Sequence, residues 1–241
     1  MLSKAQIKHI TALRSKKYRT EHSQFIVEGK KSIIELLKSD FEHDKLYATK
    51  QHSDFINKST ASNVDTISEI ELSKISSQKN PEGLLAVVHM PKPRHFTQEN
   101  KRYIALDKIR DPGNLGTIIR LADWFGIDEI LCSTDCVELY NPKVVQASMG
   151  SIFHTKTYTV ALADLIKNAT IPTIAATLGG NPIYQTKALE AGILVIGNEA
   201  NGISDDVLKR CSQQVTIPNR GKSESLNAAM ACGILCSHLF D

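Results

Sequence analysis

Three polar stretches in the C-terminal part of the sequence hold the side chains best suited to chemistry. The first, DPGNLGTIIRLADWFG, carries Asn114 and Arg120. The second, GNEANGIS, carries Asn198 and Glu199 between Gly197 and Gly202. The third, IPNRGKSESLNAA, carries Ile217, Pro218, Ser225, Leu226, Asn227 and Ala228. A carboxylate in a glycine-bounded turn serves either the turn itself or a ligand's hydroxyl or amine, and Glu199 is open to both. Arg120 is either a solvated surface cation or a fork for a phosphate or a partner subunit. Ser225 and Asn227 stand where a helix begins, as plain caps or as neighbours of a ligand-facing helix end. The glycines let backbone pass close to a ligand or adopt positive φ. The second stretch is not G-x-G-x-x-G and follows the wrong strand for a dinucleotide fingerprint. Five cysteines lie in apolar runs, and the Cys132/Cys136 and Cys232/Cys236 pairs lack the polar turns of a zinc site. They read as buried reduced thiols, with no metal.

The elements that must position these residues follow from the apolar pattern. QVTIP is a short strand, NRGKSE a polar loop, and a helix opens at Ser225, apolar on every face after Asn227 and therefore buried. GILVIG is a buried strand leading into the Glu199 turn, with Ser204 capping the next helix. RYIALD is a strand. The helix after it has Asn114 as its cap and Leu115, Ile118, Ile119, Ala122 and Gly126 inward, while Gly116, Thr117, Arg120 and Trp124 face away. DEILCS, TKTYTV and PTIAATL are further strands, with helices at PKVVQASMGSIF, ADLIKN and ISDDVLKR. Continuous apolar strands alternating with helices mean a parallel sheet covered on both faces, whose ligands bind beyond the strands' carboxyl ends. That points to the loops after Asp107, Leu178, Gly197 and Pro218.

The chain has 241 residues, enough for two domains. Its N-terminal part alternates α and β over about ninety residues. Ile7, Ile10 and Leu13 share a helix capped by Ser3. SKKYRTEHSQ is a polar basic connection, and KKSIIELLKS is a helix with Ile33, Ile34 and Leu37 inward. QFIVEG, KLYAT, VDTIS and GLLAVVH are strands separated by Ser/Asn/Lys-rich loops and a short helix near Ile70–Ile75. The two prolines of MPKPRHF mark a linker, giving domains at 1–92 and 99–241. Residues 1–95 hold 16 Lys and Arg against 11 Asp and Glu, whereas residues 96–241 hold 13 against 15. The basic N-terminal part suits a polyanion such as nucleic acid, or is a solvated helix face. The polar, basic N-terminus has no apolar signal-peptide core and no window spans a bilayer, so a cytoplasmic protein without membrane attachment is expected.

Together the three stretches resemble the signature motifs of the SpoU, or TrmH-like, branch of the SPOUT RNA methyltransferases. Asn114, Arg120, Gly197, Glu199, Gly202, Pro218, Ser225, Leu226 and Asn227 carry the match, from about residue 100 to the C-terminus. The basic N-terminal helix followed by QFIVEG is similar to that family's ribosomal-protein-like, RNA-binding substrate domain. The resemblance implies an α/β fold with a C-terminal trefoil knot, S-adenosylmethionine as cofactor, and methyl transfer to a ribose 2′-hydroxyl. It places the cofactor against Thr177, Leu178, Gly179, Gly197, Asn198, Gly202, Ile217, Pro218, Ser225, Leu226 and Ala228. It assigns the reaction to Asn114, Arg120, Glu199, Ser225 and Asn227, with Arg120 reaching a neighbour's pocket in a homodimer. The separate N-terminal domain favours ribosomal RNA as the substrate. The alternatives are a transfer-RNA ribose methyltransferase and a catalytically silent RNA-binding assembly protein of the same fold. One departure stands out: Asn219 and Arg220 follow the strand-ending Ile-Pro, where family members often carry a hydrophobic residue.

Overall fold

The computed structural model describes residues 1–53 and 63–240. In chain order the first elements are α1 (Lys4–Ala12), α2 (Lys16–His22), β1 (Gln24–Glu28), α3 (Lys30–Lys38), β2 (His43–Thr49), β3 (Val64–Ile67), α4 (Glu69–Ile75) and β4 (Leu84–His89). They are followed by β5 (Arg102–Asp107), α5 (Pro112–Trp124), β6 (Glu129–Ser133), α6 (Pro142–Ser148), β7 (Lys156–Val160), α7 (Leu162–Lys167) and β8 (Thr173–Pro182). The last are β9 (Gly192–Gly197), α8 (Asp205–Leu208), β10 (Gln213–Thr216) and α9 (Ala228–Leu239). The loop expected between β2 and β3 lies mostly outside the described residues.

Two compact units result. One comprises Met1–Lys92 with Glu138–Phe153, the other Pro93–Val137 with His154–Asp241. No single cut along the chain separates them, because α6 belongs with the N-terminal unit.

The N-terminal unit has a four-stranded sheet ordered β1-β4-β2-β3, antiparallel except for the β2–β3 pair. One core gathers Ile10, Leu13, Ile26, Tyr47, Leu72, Ile75, Leu85 and Val87. Phe25 packs on Phe41 and Tyr140, and Phe41 on Phe153. Ser3 caps α1 in a reciprocal box with Gln6, and Ser68 does the same for α4 with Glu71. Two expectations change here. The supposed connection SKKYRTEHSQ contains helix α2, fastened by the buried Arg19, which pairs with Glu138 and donates to the Leu13 and Arg14 carbonyls. The α3 face turned inward is Ser32, Ile33 and Leu36, while Ile34 and Leu37 are only half-buried. The helix rotates to fit its neighbours, which its own periodicity does not specify.

The second unit is a six-stranded, wholly parallel sheet ordered β10-β8-β9-β5-β6-β7. Its central strands are buried end to end: Tyr103, Ile104, Ala105 and Leu106 in β5, and Ile193, Leu194, Val195 and Ile196 in β9. Parallel pairing puts every carboxyl end on one edge, so β5, β8 and β9 deliver their loops side by side. Strand β8 does not stop at Leu178 as expected. Gln214 pairs with Ala175 and the next residue, Val215, with Asn181, so residues 176–180 bulge out of the ladder. Strand β10 ends at Thr216, two residues before Pro218.

Expectations for three helices are corrected. Asp111, not Asn114, caps α5: its Oδ1 accepts from the Asn114 N–H at 2.8 Å, with Pro112 just inside. On α5 Gly116 is buried, whereas Gly126 is exposed with φ 65°, just past the helix end. Helix α9 opens at Ala228, not Ser225, and is not buried all round: Met230 is 62% and Ile234 36% exposed. Ser204 precedes α8 without a side-chain capping bond. Among the described residues no helix is long and apolar enough to cross a membrane.

Candidate active site

The site forms at the carboxyl edge of the parallel sheet, around one amide. Asn114 sits in the first turn of α5 and is buried. Its Nδ2 donates to the Glu199 carboxylate after β9, and its Oδ1 accepts from Asn227 Nδ2 at 2.8 Å. Asn227 Oδ1 accepts from the Ala229 and Met230 N–H groups at 3.0 and 3.2 Å, capping α9. Three loops from three sequence regions are thereby joined by side chains of fixed donor and acceptor sense. Helix α9 packs on α5 alongside, with Leu121 at 3.4 Å from where a Gly233 side chain would begin.

The Glu199 turn is built to a narrow tolerance. Asn198 and Gly202 exchange backbone hydrogen bonds of 3.0 and 2.8 Å. Asn198 Oδ1 accepts from the Ala200 and Asn201 N–H groups, and its Nδ2 donates to the Lys108 carbonyl at 3.0 Å. A Cβ on Gly197 would lie 2.2 Å from the Gly202 carbonyl carbon, so no other residue fits there. Gly202 takes φ 66°. Below the turn, the buried Asp107 accepts from the Ser204 N–H at 2.6 Å, and Lys108, at φ 59°, donates its N–H to Ser133 Oγ. Asp107, Lys108, Asp111 and Ser133 are not among the site residues expected from sequence, although Asp107 is where one of the expected loops begins. A carboxylate closing the apolar strand RYIALD was the available signal for Asp107.

The β8 bulge brings Thr177, Leu178 and Gly179 beside the end of β10. Thr216 Oγ1 donates to the Leu178 carbonyl at 3.3 Å, and a Cβ on Gly180 would meet the Val215 backbone at 2.6 Å. Gly179, by contrast, faces open space, so it is not needed for close approach. Thr177 Oγ1 is buried without a hydrogen-bond partner. Leu178 is 77% and Leu226 48% exposed, while Ile196 is buried and Ile217 half-buried. An orphaned hydroxyl, exposed leucines and close-passing glycine backbone suit a ligand with both apolar and hydrogen-bonding parts.

The third loop is internally braced. Asn219 Nδ2 donates to the Ser223 carbonyl at 2.6 Å and its Oδ1 accepts from the Gly221 N–H at 2.7 Å. The unusual residue after Ile-Pro therefore holds the loop together. Ser225 is exposed in this loop and accepts through its carbonyl from Ser223 Oγ at 3.0 Å; it is not a cap. Pro218 precedes the braced segment, and Ala228 is the buried first residue of α9.

Arg120 does not join the Asn114 cluster. It is exposed on α5, on the side that carries Thr117 and Trp124. Where β5 and β6 end, the Cys136 thiol is lowered to about 7, first by the hydrogen bond from Cys132, against the opposing effect of burial, and also by Ser133 and the Ile109 and Lys108 backbone. Cys132, fully enclosed, is pushed well up. All five cysteines are free thiols. Among the described residues, no group of three or more His, Cys, Asp or Glu side chains is placed to hold a metal.

Residues 101–237 match the SpoU rRNA Methylase family, and residues 4–86 match the MRM3-like substrate binding domain. The chain is 29% identical over 238 residues to the 23S rRNA (guanosine(2553)-2'-O)-methyltransferase of Bacillus subtilis, covering 97% of this chain and 95% of that protein. Its fold is similar to a TrmH-family protein from Porphyromonas gingivalis, with TM-score 0.88, 36% identity, and 98% and 97% of the two chains covered. It is also similar to the AdoMet-bound rRNA methyltransferase of Sinorhizobium meliloti, with TM-score 0.86, 29% identity, and 98% and 95% covered.

Proposed function

Because this chain belongs to the SpoU rRNA methylase family, we propose that it transfers a methyl group from S-adenosylmethionine to a ribose 2′-hydroxyl of ribosomal RNA, as a cytoplasmic homodimer with a knotted C-terminal region. The observation that carries this reading is the Asn114 amide, which links the Glu199 turn to the N-terminus of α9.

Bound S-adenosylmethionine supplies an electrophilic methyl on a cationic sulfur. This chain's residues hold and orient. The Thr177 hydroxyl offers an unused hydrogen bond, and Leu178 and Leu226 offer apolar surface. Displacement at a methyl group needs alignment more than covalent help, so rigid loops are the main contribution. Glu199, held by Asn114, and Ser225 and Asn227 orient the ribose and the loops around it. Arg120 carries only donors on its guanidinium, so its part in the reaction is better read as binding than as a simple general base. Its guanidinium binds an RNA phosphate and stabilises the alkoxide that forms as the 2′-oxygen loses its proton.

In the single chain Arg120 lies apart from the Asn114 cluster, which supports its use on a second copy's site. Trp124 is 83% exposed, and Met230 and Ile234 stand out from α9, an apolar face suited to a partner.

Calorimetric titration with S-adenosylmethionine, followed by tritiated methyl transfer to ribosomal and transfer RNA, tests the reading. Saturable binding and label on ribosomal RNA 2′-oxygens are expected. Failure to bind the cofactor would leave a silent RNA-binding protein, and label confined to transfer RNA would move the substrate.

A further inference from the structure

Helix α2 carries Tyr18 and His22 one turn apart, both exposed. Their rings are nearly parallel, at 10°, with centroids 6.4 Å apart. His9 of α1 meets His22 edge-on at 4.8 Å, and its Nε2 lies 2.8 Å from Gln24 Oε1, which fixes the ring plane. The Lys17 ammonium stands 5.9 Å from the Tyr18 centroid. Lys8, Arg14 and Lys16 are exposed on the same helices or the turn between them. On its other side His9 borders an open cavity of about 330 Å³, walled also by Gln6, Asp44, Lys45 and Tyr47.

A merely solvated helix face needs charge but no flat rings. Here three rings are held by one another and by Gln24, with cations around them and a cavity of mixed polar and apolar lining beside them. Aromatic faces bind nucleobases by stacking, and the bases must be unpaired, because those inside a duplex are already stacked on each other. The flanking ammonium groups suit the phosphates that accompany such bases.

We propose that the Tyr18–His22–His9 array and the adjoining cavity form a stacking subsite for unpaired bases of the RNA substrate. This rests on the reading of the protein as an RNA methyltransferase, and adds where the N-terminal unit grips RNA and in which form. It places Tyr18 and His22 as RNA-binding residues far in sequence from the methyl-transfer motifs.

Fluorescence anisotropy with labelled oligoadenylate and with a labelled RNA duplex, across a salt series, tests it on the full chain. Tyr18→Ala weakens single-strand binding by about tenfold at every salt concentration, and Tyr18→Phe keeps it. Duplex affinity and the slope of log affinity against log salt stay as in the wild type for Tyr18→Ala. Lys17→Ala instead flattens that slope by about 0.7, the loss of one phosphate contact. Equal single-strand affinity in Tyr18→Ala, or an equal loss on duplex, overturns the inference. Limited proteolysis and a circular-dichroism melt of the same variant show whether its fold survives, and His22→Ala replaces it if not. A wild-type protein that binds cofactor and duplex but not oligoadenylate overturns the inference alone; one that binds no cofactor overturns the parent reading.

Discussion

Asn114 uses both ends of its amide on partners 85 and 113 residues away, so a single side chain closes the site. Asn114→Ala leaves Glu199 and Asn227 each short of a partner, and the expected cost is about 1–3 kcal/mol, read by chemical denaturation, together with loss of methyl transfer. Arg120→Lys keeps the charge but loses the planar fork. Methyl transfer is expected to fall on the order of 10²-fold with cofactor affinity unchanged, measured by steady-state kinetics and calorimetry. Near-normal turnover in that variant ends the phosphate-and-alkoxide role. Cys136, lowered to about 7, is a thiolate above that pH, whereas Cys132, Cys211 and Cys232 are shifted upward. Iodoacetamide is therefore expected to label Cys136 ahead of those three, at a rate rising as pH passes through about 7, as peptide mass spectrometry would show. The residue types were legible in the sequence, but the Asn114 role was not. An asparagine in DPGN reads as a cap until Asp111 is seen to take that place.

At the scale of elements, the turn after β9 and the bulge in β8 place the loops. Gly197 has the Gly202 backbone where a side chain would go, while Gly179 has nothing within 4 Å. Gly197→Ala is expected to destabilise by about 1–3 kcal/mol and to abolish cofactor binding, and Gly179→Ala to change stability by less than about 0.5 kcal/mol. Thermal melts and titrations of the pair check this, and equal behaviour would refute the close approach. Sequence alone weighs these two glycines equally, because clearance depends on a backbone distant in the chain. Strands fared better. In the second unit β5, β6 and β9 follow most directly from continuous apolar runs, since a strand buried on both faces has no polar side to confuse its reading. Helix starts fared worse: α9 begins at Ala228 because Asn227, bound to Asn114, supplies the cap, a choice that local sequence shares between Ser225 and Asn227.

At the scale of the molecule, the exposed Trp124, Met230 and Ile234 leave an apolar surface on the C-terminal unit, together with an arginine apart from the cluster it should serve. Ile234→Glu is expected to convert a dimer into monomers in sedimentation velocity and to abolish methyl transfer while the chain stays folded. A monomeric wild-type protein that methylates RNA at full rate would refute the shared site. By its sequence alone α9 is expected to be buried on every face. The apolar residues were identified correctly, but a chain's own sequence does not say whether its cover is internal or another copy.

Composition and periodicity by themselves determined the two-part α/β organisation and the parallel sheet, because hydrophobic burial imposes its period directly on the residues. Only the tertiary structure decided that Asn114 is the hub, that residues 138–153 belong to the N-terminal unit, that β8 bulges at Thr177, and that Tyr18, His22 and His9 meet. Those facts depend on which distant groups satisfy one another's hydrogen bonds and fill one another's space, and such pairings leave no local trace along the chain.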